Sequence, residues 1–201
     1  MKNKSKIFKF TIFSIILVFI LGTLLHFTFD WSNKNVFIGS FSAVNESTWE
    51  HLKLLFFPMI ITTIIGYFYL SKTTPSFLCA RVFSIISSIL PGWILPSLIN
   101  ASNDLVAISL LIGSKQETVI TSGVSSIIKS APVNCSFYIA TLIGEYISYR
   151  LMLSKFNCNT KKALILLSIL LFLFVLFTYF PPKIMLFKDP ISGTYGIIEK
   201  P

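Results

Sequence analysis

The chain has 201 residues, of which 54% are hydrophobic and 12% are charged, and its mean hydropathy is +0.77. Soluble domains carry about 25% charged residues, so this composition excludes a soluble globular protein and indicates an integral membrane protein. The formal net charge is +9, but most lysines and arginines stand beside apolar runs and do not form a basic, aromatic surface. We therefore expect contacts with anionic lipids and no nucleic-acid partner.

Apolar runs that are long enough, or nearly long enough, to cross a bilayer occur five times along the chain. The first follows a lysine-rich N-terminus, "MKNKSKIFKF", and has no clear cleavage site after it, so we interpret it as an uncleaved helix. The predicted spans are residues 8–27, 52–70, 77–99, 131–153 and 163–180. The sequence therefore predicts an all-α, polytopic membrane helix bundle that forms a single domain, with residues 181–201 as a tail.

The segment 100–130 decides the number of spans and their orientation. Its apolar runs are short or interrupted by polar residues, which favours short interfacial or re-entrant helices. A sixth span within 105–128 is the alternative, but it would place the basic cluster of 150–162 outside the cell, against the positive-inside tendency. With five spans and a cytoplasmic N-terminus, ten of the 17 basic residues lie inside: Lys2, Lys4, Lys6, Lys9, Lys72, Arg81, Arg150, Lys155, Lys161 and Lys162.

The five-span topology brings a set of polar residues to the extracytoplasmic boundary. His26 ends the first span and Asp30 follows four residues later, while Glu46, Glu50 and His51 open the second span. Residues four apart share a face when they are helical. Imidazole and carboxylate are ligands that zinc accepts, and manganese or iron is also chemically admissible. We therefore predict that this cluster binds a divalent metal or a small polar ligand, or locks the bundle.

Helix capping competes as an explanation for part of this cluster. The sequence from Ser47 to Glu50 matches a capping box, in which the serine accepts from the amide of residue 50 and the glutamate accepts from the serine amide. Trp49 stands where an interfacial aromatic belt is expected, and Lys53 is expected to extend toward the interface. Capping leaves both histidines and the other two carboxylates unexplained.

Two ionisable residues, Arg81 in the third span and Glu145 in the fourth, lie several residues inside the cytoplasmic ends of their spans. An ionisable group in the bilayer costs about 2.5–3.5 kcal/mol on insertion scales, so it usually has a partner or faces water. We predict that the two residues pair across the helices. The pair would serve either as a structural tie or as a proton or ion relay.

The three cysteines, Cys79, Cys135 and Cys158, show neither a CxxC motif nor the spacing of a Cys/His metal site. We therefore interpret them as small apolar residues that fill the space between helices.

Four stretches carry a resemblance: "LHFTFDWSNKN", "FSAVNESTWEHLKLLFFPM", "GEYISYRL" and "PPKIMLFKDPISGTYGI". They resemble a family of small bacterial integral membrane proteins, found largely in anaerobic Gram-positive bacteria and catalogued as a domain of unknown function. The resemblance is close over residues 20–60 and looser over 140–155 and 178–197. It implies a multi-pass protein of the bacterial plasma membrane, with a cytoplasmic N-terminus and an extracytoplasmic C-terminus by the charge argument above, and it implies no reaction.

Three function classes follow from these residues. The first is a membrane protein whose outer polar cluster binds a metal or small ligand or locks the helices. The second is a small transporter or transport-accessory subunit, which would need a polar path through the bundle that Glu145 could reach. The third is a metal-dependent intramembrane hydrolase, in which a metal held by the cluster activates water.

Overall fold

The computed structural model describes residues 2–92, 94, 121–154, 156 and 158–197, with side chains described from residue 3 and, in the second long segment, from residue 136. These residues form an all-α structure, with no strand among them. The helices are α1 (Lys2–Trp31), α2 (Val36–Gly39), α3 (Thr48–Leu70), α4 (Phe77–Gly92), α5 (Thr121–Leu153) and α6 (Thr160–Tyr179), followed by a 3-10 turn at Met185–Phe187. The predicted all-α class is confirmed.

Three of the described helices, α1, α3 and α6, are long and apolar enough to cross a membrane, with mean hydropathies of 2.4, 1.7 and 2.4 in their most apolar stretches. The described part of α4 is apolar but shorter. The five-span count therefore stays a prediction. Residues 100–120, for which interfacial helices were predicted, lie outside the described residues, whereas 121–130 are helical and continuous with α5. The fourth predicted span thus belongs to a helix that begins no later than residue 121.

Helix α3 lies at the centre of the described bundle. Of its most apolar stretch 61% is buried, compared with 33% for α1 and 17% for α6. It contacts both α1 and α5, and its residues Leu55, Phe56 and Met59 are at most 1% exposed. These side chains form the main core together with Val18, Ile85, Ala140 and Phe174 from the neighbouring helices. Every residue of α3 from Glu50 to Met59 is buried, so the core holds the N-terminal half of α3 in place.

Glycine permits a close approach of α1 to α3. Pro58 lies inside α3 and has no N–H, so the carbonyl of Leu54, four residues earlier, lacks its usual helical donor. A Cβ at Gly22 of α1 would lie only 2.7 Å from that carbonyl oxygen. Small residues allow such contacts between membrane helices. The approach fixes the C-terminal half of α1 against the N-terminal half of α3.

The helices run antiparallel where short connections join them, so the bundle has two distinct ends. We call the end that holds the first residues of α1, α4 and α6 the basic end. Its exposed residues include five lysines: Lys4, Lys6, Lys72, Lys161 and Lys162. The end that holds the last turn of α1 and the first turn of α3 is called the histidine end. At the basic end, Asn3 donates to the carbonyl of Thr73 at 3.0 Å.

The basic end also contains a disulfide between Cys79, at the start of α4, and Cys158, in the connection before α6. The interpretation of these two cysteines as apolar fillers was therefore wrong. Their spacing of 79 residues gives no local motif, and only the antiparallel arrangement of α4, α5 and α6 brings them together. The side chain of Cys135 is not among those described.

The C-terminal tail covers part of the histidine end. The ring of Phe187 lies 4.8 Å from that of Trp49 in α3. The amide of Ile197 donates to the carbonyl of Thr178 in α6 at 3.1 Å, and the side chain of Asn45 donates to the carbonyl of Gly196 at 3.4 Å. The tail therefore joins the ends of α3 and α6, up to residue 197, where the described residues end.

Candidate metal centre

Three polar side chains from separate parts of the chain meet at the histidine end. His26 lies in the last turns of α1, Glu46 lies in the connection just before α3, and His51 lies in the first turn of α3. The antiparallel contact of α1 with α3 puts the end of one helix beside the beginning of the other. The pairing of the two helices therefore assembles the cluster.

The cluster has one carboxylate between two imidazoles. His26 Nε2 lies 3.7 Å from Glu46 Oε1, and His51 Nε2 lies 3.4 Å from Glu46 Oε2. The two imidazole ring centres are 5.3 Å apart. One ligand atom from each of the three residues lies within 4.8 Å of the other two. The side chain of His51 is 8% exposed, while that of Glu46 is 41% exposed, so the cluster is reached from the Glu46 side.

A hydrogen bond fixes the orientation of the His51 ring. His51 Nδ1 lies 3.0 Å from the backbone carbonyl of Ser47. A carbonyl only accepts, so Nδ1 carries the proton of this bond and, in the neutral ring, Nε2 presents its lone pair toward Glu46. A bare lone pair facing a carboxylate is repulsive, so the contact calls for a shared proton or a cation. A backbone partner of this kind is typical of metal-binding histidines.

The other histidine is less restrained. The Nδ1 atom of His26 is buried and has no hydrogen-bond partner among the described residues. Its ring packs edge-on against that of Phe27, with the ring centres 4.9 Å apart. A buried nitrogen without a partner costs free energy. Because Nδ1 has no partner and Nε2 lies 3.7 Å from Glu46, no hydrogen bond fixes which of the two ring nitrogens of His26 carries the proton.

The electrostatics favour a charged carboxylate at the centre of the cluster. When the His51 ring is protonated at both nitrogens, its Nε2–H donates to Glu46, and this hydrogen bond lowers the pKa of Glu46; the charges of both histidines act in the same direction, whereas partial burial opposes them. Glu46 is therefore held as the carboxylate that cation binding requires.

The three ligand atoms are somewhat farther apart than they would be around a bound zinc ion. Tetrahedral ligands at about 2.0–2.1 Å from zinc lie about 3.3–3.4 Å from each other. The Nε2 to oxygen distances of 3.4 and 3.7 Å reach the two different oxygens of Glu46, and the three ligand atoms lie within 4.8 Å of one another, so a bound ion would draw the three side chains closer together. Two histidines and one glutamate would supply three ligands and leave a fourth position for water or another ligand.

The remaining predicted candidates lie outside this group. Asp30 is exposed on α1, and neither Asp30 nor Glu50 belongs to the three residues whose ligand atoms converge. The four-residue spacing of Glu46 and Glu50 has no structural meaning, because Ser47 is the N-cap and Glu46 precedes the helix.

Helix capping at α3 differs from the predicted capping box. The Ser47 side chain accepts from the amide of Glu50 at 3.4 Å. The reciprocal bond is replaced, since the Ser47 amide donates to the side chain of Asn45 at 2.9 Å and the Glu50 carboxylate accepts from the amide of Val44 at 3.0 Å. The cap therefore belongs to Asn45 and Ser47, and Glu50 is free to pair elsewhere.

Glu50 forms a fully buried ion pair with Lys53, which corrects the expectation that Lys53 extends toward the interface. The Lys53 ammonium lies 2.5 Å from the Glu50 carboxylate. It also donates to the carbonyl of Gly39 at 2.8 Å and to the hydroxyl of Thr178 at 2.9 Å. All three of its N–H groups have acceptors, so this pair joins α2, α3 and α6. The signal in the sequence was the three-residue spacing of opposite charges on one helix.

A second buried pair joins Arg81 of α4 to Glu145 of α5, both 0% exposed. Arg81 Nη1 lies 2.7 Å from each oxygen of the Glu145 carboxylate. The other guanidinium N–H groups donate to acceptors on α1 and α3: Ser14 Oγ, Met59 O, Thr62 Oγ1 and Thr63 Oγ1. Ser14 in turn donates to Glu145 at 2.8 Å. Arg81 and Glu145 were predicted to pair because each is a charge inside an apolar segment, whereas the three hydroxyl partners carry no comparable signal in the sequence.

A family of unknown function (DUF6512) matches the chain over residues 1–197. Because the match covers nearly the whole chain, the protein belongs to that family. No curated protein and no solved structure matches it.

Proposed function

We propose that this member of the DUF6512 family is a multi-pass protein of the bacterial plasma membrane that binds a divalent transition metal, foremost zinc, at the histidine end of its bundle. The observation that carries the proposal is the convergence of His26, Glu46 and His51, with ligand atoms within 4.8 Å of one another. Glu46 accepts no hydrogen bond from a backbone amide among those described around it, and its charge is directed at two imidazoles. A bound cation would neutralise the carboxylate charge and accept the lone pairs of the two imidazoles.

Zinc is the preferred ion because of the ligand types. Two imidazoles and a carboxylate form a mixed nitrogen and oxygen set, which binds zinc more tightly than manganese or iron. The Ser47 carbonyl holds His51 in the tautomer whose Nε2 can bind a metal. The partial exposure of Glu46, 41%, gives an ion an entry path.

The positive-inside tendency supports the orientation. Lysines near the N-terminus of α1, in the connection after α3 and at the start of α6 all lie at the basic end. Short basic segments stay in the cytoplasm and contact anionic lipids. We therefore assign the basic end to the cytoplasmic side and the metal centre, together with the C-terminal tail, to the extracytoplasmic side.

Metal-dependent hydrolysis is the second candidate function, and one observation favours it. The three protein ligands are His, His and Glu, which is the number and type found in catalytic zinc sites that keep a position for water. Transport is less favoured, because all five N–H groups of Arg81 are engaged by neighbouring acceptors. A relay through that level would have to break these bonds.

Metal analysis of the purified full chain tests the proposal. After equilibration with zinc and removal of free metal, the native protein should retain about one zinc per chain. The double variant Glu46→Ala, His51→Ala should retain none, because it loses two of three ligands. Zinc at about 100 times its Kd should also stabilise the native protein by about 2.7 kcal/mol and leave the double variant unchanged.

Asp30→Asn is the matched control, since it removes a carboxylate from the same end of the bundle but outside the convergent group. It should bind zinc as the native chain does. Binding by the native chain and by Asp30→Asn should weaken as the pH falls, because the ligands must be deprotonated. Equal zinc content in the native chain and the double variant would contradict the proposal.

A further inference from the structure

The disulfide at the basic end lies where two helices begin. Cys79 is the third residue of α4, and Cys158 stands two residues before the first residue of α6, Thr160. Their Cα atoms are 6.2 Å apart. The N-terminus of a helix carries a partial positive charge that stabilises a thiolate. Both sulfurs would therefore be stabilised as thiolates when the bond between them is broken.

A hydroxyl group adds to this stabilisation. Thr160 Oγ1 lies 3.8 Å from Cys79 Sγ. A disulfide sulfur has no proton, so the threonine is the donor in this contact. The same hydroxyl can donate to the Cys79 thiolate, and a hydrogen bond to an ionised acceptor is stronger than one to a neutral acceptor.

A cavity of about 500 Å³ opens beside the disulfide. Its lining includes both cysteines together with the polar residues Asn3, Thr73 and Ser76. Cys79 is only 2% exposed, whereas Cys158 is partly exposed. A small thiol that enters the cavity therefore reaches the sulfur of Cys158 first.

We propose that the Cys79–Cys158 pair is a thiol–disulfide exchange site for low-molecular-weight thiols such as glutathione. The thiolate of the reductant attacks Cys158 Sγ and forms a mixed disulfide, and Cys79 leaves as a thiolate that then takes up a proton. A second thiolate attacks the sulfur of the bound thiol, which releases the oxidised reductant and the Cys158 thiolate. Two thiols are oxidised to one disulfide, and the protein disulfide is reduced to two thiols.

The position of the pair agrees with such a role. The positive-inside tendency assigns the basic end to the cytoplasm, where glutathione keeps thiols reduced and the disulfides that occur are mostly catalytic or redox-sensing. This location rests on the proposed orientation, whereas the exchange chemistry rests only on the contacts around the two cysteines. Neither depends on metal binding at the opposite end.

Titration with glutathione tests the proposal on the full chain in detergent, with Cys135→Ser as the background so that two cysteines remain. The protein is equilibrated with reduced and oxidised glutathione across a series of ratios, and its free thiols are alkylated and counted by intact mass. We expect a transition from disulfide to dithiol within the range of ratios found in cells. A protein that stays oxidised throughout holds a structural disulfide, and a protein that is never oxidised holds none; either result overturns the proposal.

Single-cysteine variants in the same background identify the attacked sulfur. With Cys79→Ser, oxidised glutathione should form a mixed disulfide with Cys158, whereas with Cys158→Ser the buried Cys79 should react at least about tenfold more slowly, because exposure controls access to a thiol. Equal rates, or faster reaction at Cys79, would overturn the assigned order of attack.

The pair Thr160→Val and Thr160→Ser tests the hydroxyl. Valine should slow reduction of the disulfide by about two- to fivefold, the size expected for one weak hydrogen bond. Serine should restore the native rate. Unchanged helical content by circular dichroism in both variants shows that the comparison concerns the leaving thiolate and not the fold. Equal rates for valine and serine would remove Thr160 from the exchange site.

Discussion

Two polar regions of this bundle differ in how completely their groups are paired. In the middle, Arg81 and Glu145 are both 0% exposed, and each guanidinium N–H has an acceptor. At the histidine end, His26, Glu46 and His51 are closer to solvent, their mutual contacts are 3.4 and 3.7 Å long, and one buried nitrogen of His26 lacks a partner among the described residues.

This difference in pairing distinguishes a structural network from a candidate binding site. A buried charge is tolerated when every hydrogen bond is made, and a completed network holds helices in one arrangement. A cluster with unfilled donors and acceptors gains from a ligand that fills them. The middle network therefore ties α1, α3, α4 and α5, whereas the histidine end is arranged to accept a cation.

The Glu50–Lys53 pair shows that depth alone does not explain the difference. It stands in the first two turns of α3, on either side of His51, yet the Lys53 ammonium has three acceptors and both side chains are at most 2% exposed. Like the Arg81–Glu145 network, this pair is buried and each N–H group of its cation has an acceptor. Neighbours in sequence thus divide into a structural pair and a candidate metal ligand.

The largest effect is expected for Arg81→Ala. The substitution leaves the Glu145 carboxylate buried without its partner, and such losses cost about 3–5 kcal/mol. The measurement is the free energy of unfolding of the full chain in detergent. The control is the double variant Arg81→Met, Glu145→Leu, which removes both charges and should be more stable than Arg81→Ala. A double variant that is as unstable as the single one would show that the charges themselves are not responsible.

A loss of about 3 kcal/mol, near the lower end of that range, is expected for Lys53→Ala, because the Glu50 carboxylate keeps its bond from the Val44 amide. Unfolding in the absence of metal measures it. The double variant Glu50→Leu, Lys53→Met serves as the comparison and should recover much of the loss. If Lys53→Ala were instead neutral, Glu50 would have found solvent, and the pair would not belong with the middle network.

The smallest effect is expected for Glu46→Gln in metal-free protein. The carboxylate is 41% exposed and its contacts are long, so the unfolding free energy should change by less than about 1 kcal/mol. The same substitution should strongly weaken zinc binding. A large loss of stability without metal would make the cluster a structural lock and end the contrast between the two regions.

Several features could be predicted because they depend on local pattern alone. The apolar runs fix the all-α class, and Ser47 is recognisable as an N-cap from its position before an apolar run. Arg81 and Glu145 stand out because charge inside an apolar segment demands a partner. These inferences need only the cost of leaving a polar group unpaired in an apolar surrounding.

Other features could not be predicted because they depend on which helices are neighbours. The Cys79–Cys158 disulfide joins residues 79 positions apart, and the acceptors of Lys53 include Gly39 of α2 and Thr178 of α6. Asp30 and Glu46 were equally good ligand candidates by residue type. Only the packing of α1 on α3 puts Glu46 between the histidines and leaves Asp30 exposed.

The sequence by itself determined that the chain forms apolar helices with charges at their ends and a few charges within, because hydrophobicity and periodicity are properties of single segments. The tertiary structure alone decided which of those charges are satisfied. Hydrogen bonds and ion pairs act over a few ångströms. The partners of Glu46, Glu50 and Lys53 therefore depend on the groups that α1, α2 and α6 bring to the N-terminal end of α3.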